Sequence, residues 1–138
     1  MTLEEFNAIQ RENQHLAAAH AAAILARPED LRQVREHLAG YIGCKYFLLP
    51  QEMESENLIE LGNAGTEKLA NLRRGGLDFA DKSVGCTSVA SSVTKKALLV
   101  LSLGKALGLR FDPDEIAGTG DISGLALLIH RMLTGGTS

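Results

Sequence analysis

The sequence predicts an all-α helical bundle, and three features of its composition lead to that fold class. Hydrophobic residues make up 45% of the 138 residues, so one compact domain can bury a core of its own. Aromatic residues are only 4% and tryptophan is absent, which leaves a core of leucine, isoleucine, valine and alanine. The three prolines, Pro28, Pro50 and Pro113, each stand where a helix boundary is expected.

Charge and cysteine content argue against several classes of function. The net charge is −3 without a basic block, so we expect neither nucleic acid nor an anionic membrane as a partner. No signal-peptide pattern and no apolar run of membrane-spanning length occur. The two cysteines, Cys44 and Cys86, are far apart and are expected to be free thiols. Together these features favour a cytoplasmic protein.

Two helices are predicted in an N-terminal extension, residues 1–50. Thr2 and Glu5 have the spacing of a capping box and begin a helix over residues 3–25. Its apolar stripe consists of Leu3, Phe6, Ile9, Leu16 and Ile24. Pro28 suits the first position of a second helix. The apolar face of that helix consists of Leu31, Val34, Leu38 and Ile42.

A connection and a third helix follow. The apolar segment 46–50 ends at a proline and is interpreted as a buried connection. A helix is predicted over residues 53–73, with an interruption at Gly62 and Gly65. Thr66 is then expected to cap the chain again before the helix continues.

The C-terminal third predicts a long helix, a very short one and a last one. The long helix covers about residues 89–107, and its apolar side chains occupy much of its circumference, which is typical of a helix central to a bundle. Asp112 and Pro113 begin the short helix, and Thr119 or Asp121 caps the last. The inward positions of the last helix are Ile122, Leu125, Ile129 and Met132.

This order of elements resembles the acyl and peptidyl carrier proteins over roughly residues 88–133. In that family a long apolar helix ends at a hydrophobic-Gly-hydrophobic step, a very short helix follows an acidic turn with proline, and the last helix opens Thr-x-x-Asp. The matching residues here are Leu107-Gly108-Leu109-Arg110-Phe111-Asp112-Pro113-Asp114-Glu115-Ile116, then Thr119, then Asp121-Ile122. The resemblance implies an acyl-carrier-protein-like helical bundle over residues 53–133, preceded by the N-terminal helical extension, within a single domain, 1–138.

The resemblance also implies a chemistry. In the family a 4'-phosphopantetheine arm is attached covalently to a serine at the start of the long helix, and its thiol carries an acyl or aminoacyl group as a thioester. A phosphodiester is favourable there, because unpaired backbone N–H groups and the positive end of the helix dipole face it. The implied partners are a phosphopantetheinyl transferase and acyl-transferring or acyl-activating enzymes, for example of fatty acid or polyketide biosynthesis. The chain would then be a phosphoprotein and not an enzyme.

Two serines are candidates for the attachment site. The segment Gly85-Cys86-Thr87-Ser88-Val89 is nearest to the family's Gly-x-Asp-Ser-Leu and favours Ser88. In the family the serine lies roughly four helical turns before the glycine step, and that spacing from Leu107 points to Val93, next to Ser91 and Ser92. We rank Ser88 first for its local sequence, with Ser92 as the alternative that spacing favours.

Departures from the family keep a second function open. Threonine replaces the acid of the motif, and the long helix carries Lys95, Lys96 and Lys105 where carriers usually present acids to their enzymes. Lys95 and Lys96 are expected to be exposed and to form the docking surface for an acidic partner. The alternative is a carrier-like adaptor or subunit without the arm, which acts by protein–protein interaction and in which Ser88 only caps a helix.

The remaining expectations concern oligomers and metals. The apolar stripe of the first helix needs a cover, which is either the bundle itself or a second copy of the chain. We favour a homodimer, because burying such side chains contributes about 1.5–3 kcal/mol each. No metal site and no catalytic residue are expected, because neither ligand spacing nor a catalytic motif is found. The four histidines are His15, His20, His37 and His130.

Overall fold

The computed structural model describes residues 2–74 and 92–135, and over those residues it is an all-α helical bundle. The helices are α1 (Leu3–Ala26), α2 (Leu31–Tyr46), α3 (Leu58–Arg74), α4 (Ser92–Leu107), α5 (Pro113–Ala117) and α6 (Ile122–Thr134), with a 3-10 turn at Pro50–Glu52. The predicted fold class is therefore confirmed. None of these helices is both long enough and apolar enough to cross a membrane.

Helix α2 is the centre of the bundle. It contacts α1, α3 and α6, while α4 packs against α1 and α3. Five aliphatic side chains of α2 and α6 are completely inaccessible to solvent: Val34, Leu38, Ile42, Leu125 and Ile129. The extension therefore supplies part of the core that the C-terminal helices share.

Helix α1 begins as predicted but presents a different face to the bundle. Thr2 Oγ1 accepts a hydrogen bond from the Glu5 amide at 3.1 Å, as the capping box requires. The buried residues are Phe6, Ala17, Ala21 and Ile24. Three members of the predicted stripe are instead exposed: Leu3, Ile9 and Leu16. The difference arises because alanines, too small to mark a stripe in the sequence, face α2 and allow the two helices to approach closely.

The boundaries of α2 differ from the prediction at both ends. Pro28 lies in a turn before the helix, and Asp30 is the cap, because its side chain accepts a hydrogen bond from the Gln33 amide at 3.3 Å. The helix ends at Phe47, whose φ of 61° is left-handed. The segment interpreted as a buried connection is only partly buried, since Leu48 is buried and Leu49 is exposed.

The prediction of an interrupted helix over residues 53–73 is wrong, because α3 is continuous and begins later. It runs without a break from Leu58, and its N-terminus is capped by Asn57 Oδ1, which accepts hydrogen bonds from the amides of residues 59 and 60, both at 3.0 Å. A Cβ atom at Gly65 would lie 2.5 Å from the Tyr46 carbonyl oxygen. Gly65 is therefore a point of close contact with the end of α2, and not a helix break.

The C-terminal elements follow the prediction closely. Gly108, with a φ of 68°, ends α4 in the left-handed conformation that glycine adopts without strain. Asp112 Oδ1 caps α5 by accepting from the Asp114 amide at 2.9 Å. Asp121 is the cap of α6, accepting from the Gly124 amide at 2.7 Å, while the Thr119 hydroxyl donates to a carbonyl of α5. The side chains of residues 122, 125 and 129 are buried as predicted, and that of residue 132 is half-buried.

Candidate functional site

A cavity of about 330 Å³ lies where the first half of α1, the end of α2, the middle of α3 and the first half of α4 meet. Its apolar wall is formed by Phe6, Leu69, Leu98 and Leu99. Gln14 and Leu98 line it and are exposed, so the cavity is accessible from solvent. Its size is at the lower end of the range of small-molecule sites, about 300–1,000 Å³.

Lys95 brings a positive charge to this cavity. Only 8% of the residue is exposed. Its Nζ donates a hydrogen bond to Thr66 Oγ1, and the Thr66 hydroxyl donates in turn to the Gly62 carbonyl at 3.0 Å. No carboxylate of the described residues forms an ion pair with it. Burial lowers the pKa of the Lys95 ammonium, because an apolar environment disfavours the charged form.

Tyr46 also lines the cavity and carries a second polar group. Its hydroxyl is buried and has no hydrogen-bond partner in the part of the chain that the structure describes. Burial raises the pKa of Tyr46 to about 12, so the phenol keeps its proton and can donate it in a hydrogen bond. A buried hydroxyl without a partner costs about 1–3 kcal/mol, which makes this residue unusual in a well-packed protein.

Gly62 of α3 brings these two side chains together. A Cβ atom at this position would lie 3.7 Å from Tyr46 Cζ and 3.8 Å from Lys95 Cβ. The hydroxyl-bearing end of the phenol ring and the stem of the lysine therefore lie beside the same glycine. Thr66, one turn further along α3, accepts a hydrogen bond from the ammonium. The site thus combines a cation and a hydrogen-bond donor with an apolar cavity wall.

Cys44 also lines the cavity, as a half-buried free thiol. Burial raises the pKa of this thiol, so the nucleophilic thiolate is disfavoured at neutral pH. Cys86, the other cysteine, lies outside the described residues. The part of the chain with assigned structure holds no group of three or more His, Cys, Asp or Glu side chains that could bind a metal ion.

Only one of the two predicted attachment serines is among the described residues. Ser88 and its motif are outside the described residues. Ser92 begins α4, at the helix end where backbone N–H groups lack intrahelical partners, and Lys95 follows less than one turn later. The cavity and the alternative serine therefore share the N-terminal half of α4.

The predicted docking surface of Lys95 and Lys96 needs a correction. Lys95 is buried against α3 and Lys96 is half-buried, while Lys105 is exposed. The physical reason is the position of Lys95 in the helix: it precedes Leu99 by four residues and Leu103 by eight, and both are buried. That spacing was the sequence signal for an inward lysine. No signal pointed to Tyr46 or Gly62, since their roles arise from contacts between helices.

Comparison with known proteins adds no family. No family model, no curated protein and no solved structure was found to match the chain.

Proposed function

We propose that the chain is an acyl-carrier-like protein, which holds an acyl or aminoacyl group as a thioester on a phosphopantetheine arm linked to Ser88 or, alternatively, Ser92. The observation that carries this proposal is the succession of α4, the left-handed Gly108, the short α5 and α6, with caps at Asp112 and Asp121. The local hydrogen bonds at these caps support the resemblance that the sequence suggested.

The first half of α4 has two properties that fit the arm and its cargo. A helix N-terminus stabilises a phosphodiester through free N–H groups and the helix dipole. The cavity beside it offers an apolar wall that includes Leu98 and Leu99. Sheltering an alkyl chain there would contribute about 0.8 kcal/mol for each buried CH₂ group. When bound, the arm supplies the thiol that forms the thioester; the chain supplies the serine and the shelter.

The proposed partners are a phosphopantetheinyl transferase and enzymes that load or use the acyl group. With Lys95 buried, the remaining lysines of α4 that these enzymes can meet are Lys96 and Lys105. A cytoplasmic location, a role in fatty acid or polyketide synthesis and a homodimer through α1 belong to the same proposal. The exposed Leu3, Ile9 and Leu16 are the α1 side chains available for such a dimer.

The test is enzymatic loading followed by intact mass measurement. Incubation with coenzyme A and a broad-specificity transferase should add the mass of one arm. Ser88→Ala should abolish the addition if the local motif decides, whereas loss only in Ser92→Ala would show that spacing decides. Failure of several transferases to modify a folded sample would overturn the carrier proposal.

A second candidate function is an adaptor or subunit without the arm. It is favoured by two large side chains of α4 that are mostly exposed, Leu98 at 55% and Leu101 at 63%. The absence of acidic residues from α4 points the same way, because the acidic docking surface typical of carriers is missing. The adaptor would interact with another protein through this face of α4.

A further inference from the structure

The cavity holds a combination of groups that the carrier chemistry does not use. A thioester-linked acyl chain is neutral along its length and needs only an apolar wall. Lys95 and Tyr46 also line this cavity. No carboxylate of the described residues is paired with the Lys95 ammonium, and the Tyr46 hydroxyl has no hydrogen-bond partner among them. Buried charges in proteins are normally paired, and buried hydroxyls are normally hydrogen-bonded. Among the described residues, the site therefore lacks a negatively charged acceptor.

We propose that this cavity binds a free amphipathic monocarboxylate, whose carboxylate pairs with Lys95 and accepts a hydrogen bond from Tyr46, and whose alkyl chain lies against Phe6, Leu69 and Leu98. The proposal does not rest on the carrier function, because neither candidate serine takes part. It adds a non-covalent ligand to the molecule.

Charge and shape select a carboxylate over other anions. Lys95 is the one buried cation of the described residues, and it matches a single negative charge. Lys45 also lines the cavity, but it is exposed and its Nζ lies over the Tyr41 ring, 5.5 Å from the ring centre. A phosphate carries more charge and three acceptor oxygens, which usually require arginines or a cluster of backbone N–H groups. No arginine lines this cavity among the described residues.

The two polar side chains lie beside the same residue, which brings them close enough together for one carboxylate to interact with both. A Cβ atom at Gly62 would be in ordinary contact with the side chains of Lys95 and Tyr46. Thr66 occupies one of the three donor positions of the ammonium, which leaves two for a ligand. The polar side chains of Gln10, Asn13 and Gln14 line the α1 side of the cavity.

The experiment uses the full chain and two probes with the same alkyl chain, decanoate and decanol, in isothermal titration calorimetry below their aggregation concentrations. Decanoate should bind with one-to-one stoichiometry and about tenfold or more tightly than decanol, as expected for a hydrogen-bonded charge. Equal affinities for the two probes, or no binding of decanoate, would overturn the proposal without any variant being needed.

Variants then assign the effect to residues. Lys95→Met should remove the preference for decanoate over decanol, and Tyr46→Phe should reduce it in part. Lys105→Met is the matched control, because it removes an exposed lysine from the same helix and should change nothing. An unchanged preference in a folded Lys95→Met protein would contradict the assignment. Ser88→Ala and Ser92→Ala should bind decanoate normally, which separates this result from the outcome of the loading test.

Discussion

Two regions of the bundle differ in how completely side chains fill them. In the closed region, α2 packs against α1 and α6. In the open region, α3 and α4 meet the first half of α1 and the end of α2 around a cavity. In the closed region, side chains such as Leu38, Ile42 and Leu125 are completely buried. In the open region a cavity of about 330 Å³ remains, and its wall includes a buried lysine and a tyrosine whose hydroxyl has no hydrogen-bond partner among the described residues. The first region supplies stability, whereas the two buried polar groups of the second cost some of it.

Glycine serves both regions, with opposite results. At Gly40 of α2 a Cβ atom would lie 2.5 Å from His20 Nε2, so the missing side chain lets the imidazole of α1 fill the space. His20 Nδ1 also lies 3.1 Å from His37 Nδ1, within hydrogen-bonding distance. At Gly62 of α3 the space is shared by the edges of two side chains and opens onto the cavity. The missing side chain of Gly40 thus allows close packing of two helices, whereas that of Gly62 leaves space beside the cavity.

The largest loss of stability is expected from a truncation in the closed region. Leu38→Ala should lower the free energy of unfolding by about 2–5 kcal/mol, because it leaves a hole in a core that cannot collapse around it. Leu98→Ala, in the wall of the open cavity and 55% exposed, should change it by less than about 1 kcal/mol. Urea denaturation followed by circular dichroism measures both. Similar losses for the two variants would contradict the contrast between the regions.

Substitutions of two glycines in α3 are expected to change stability in different ways. Gly65→Ala should destabilise by about 1–3 kcal/mol, because its Cβ would meet the Tyr46 carbonyl oxygen at 2.5 Å. Gly62→Ala should be neutral or stabilise by up to about 1 kcal/mol, since its nearest neighbour would be at 3.7 Å and alanine favours a helix. Thermal unfolding of the two variants in parallel provides the measurement. Destabilisation by Gly62→Ala as large as by Gly65→Ala would show that the cavity wall is packed more tightly than described.

Lys95→Met tests whether the buried charge of Lys95 lowers the free energy of unfolding. The variant should be more stable than the parent at neutral pH by about 1–2 kcal/mol, because it removes a buried charge that no carboxylate of the described residues neutralises. The folded pKa of Lys95 lies below its ordinary value of 10.5. The penalty is therefore complete below the folded pKa and disappears as pH rises towards 10.5.

Denaturation of the parent and the Lys95→Met variant at pH 7 and near pH 10.5 measures the difference at both ends of this range. The advantage of the variant should shrink at the higher pH. A variant that is less stable than the parent at pH 7 would mean that Lys95 is satisfied by its surroundings, and the argument for a missing anion would fail.

The smallest effect concerns the histidine pair of the closed region. Burial, and after it the charge of His37, lowers the pKa of His20 below 6.5. The unfolded chain therefore binds a proton more readily, and the contribution of His20 to stability falls as pH drops from 6.5 through the folded pKa. His20→Gln should lose less stability between pH 7 and pH 5 than the parent. Identical losses in both proteins would exclude His20 as the group responsible.

Features decided by neighbouring residues could be predicted from the sequence. Thr2, Asp112 and Gly108 act within one turn of themselves, and the structure confirms each of them. The prediction that Gly62 and Gly65 break a helix was wrong. Both glycines are explained by contacts with Tyr46 of α2, and the sequence does not show where a second helix lies. The burial of Lys95 was missed for a related reason: its charge suggested exposure, although its spacing to Leu99 and Leu103 indicated the inner face.

The proposed phosphopantetheine arm can be detected in the mass of the protein purified from its own cells. Trypsin cleaves after Lys82 and Lys95, so Ser88 and Ser92 fall in one peptide, residues 83–95. Fragmentation of that peptide by mass spectrometry locates a modification on either serine. If the arm is present, the intact protein is heavier than its unmodified sequence by the mass of one arm, and the added mass lies in this peptide. An intact mass equal to that of the unmodified sequence would contradict the carrier proposal.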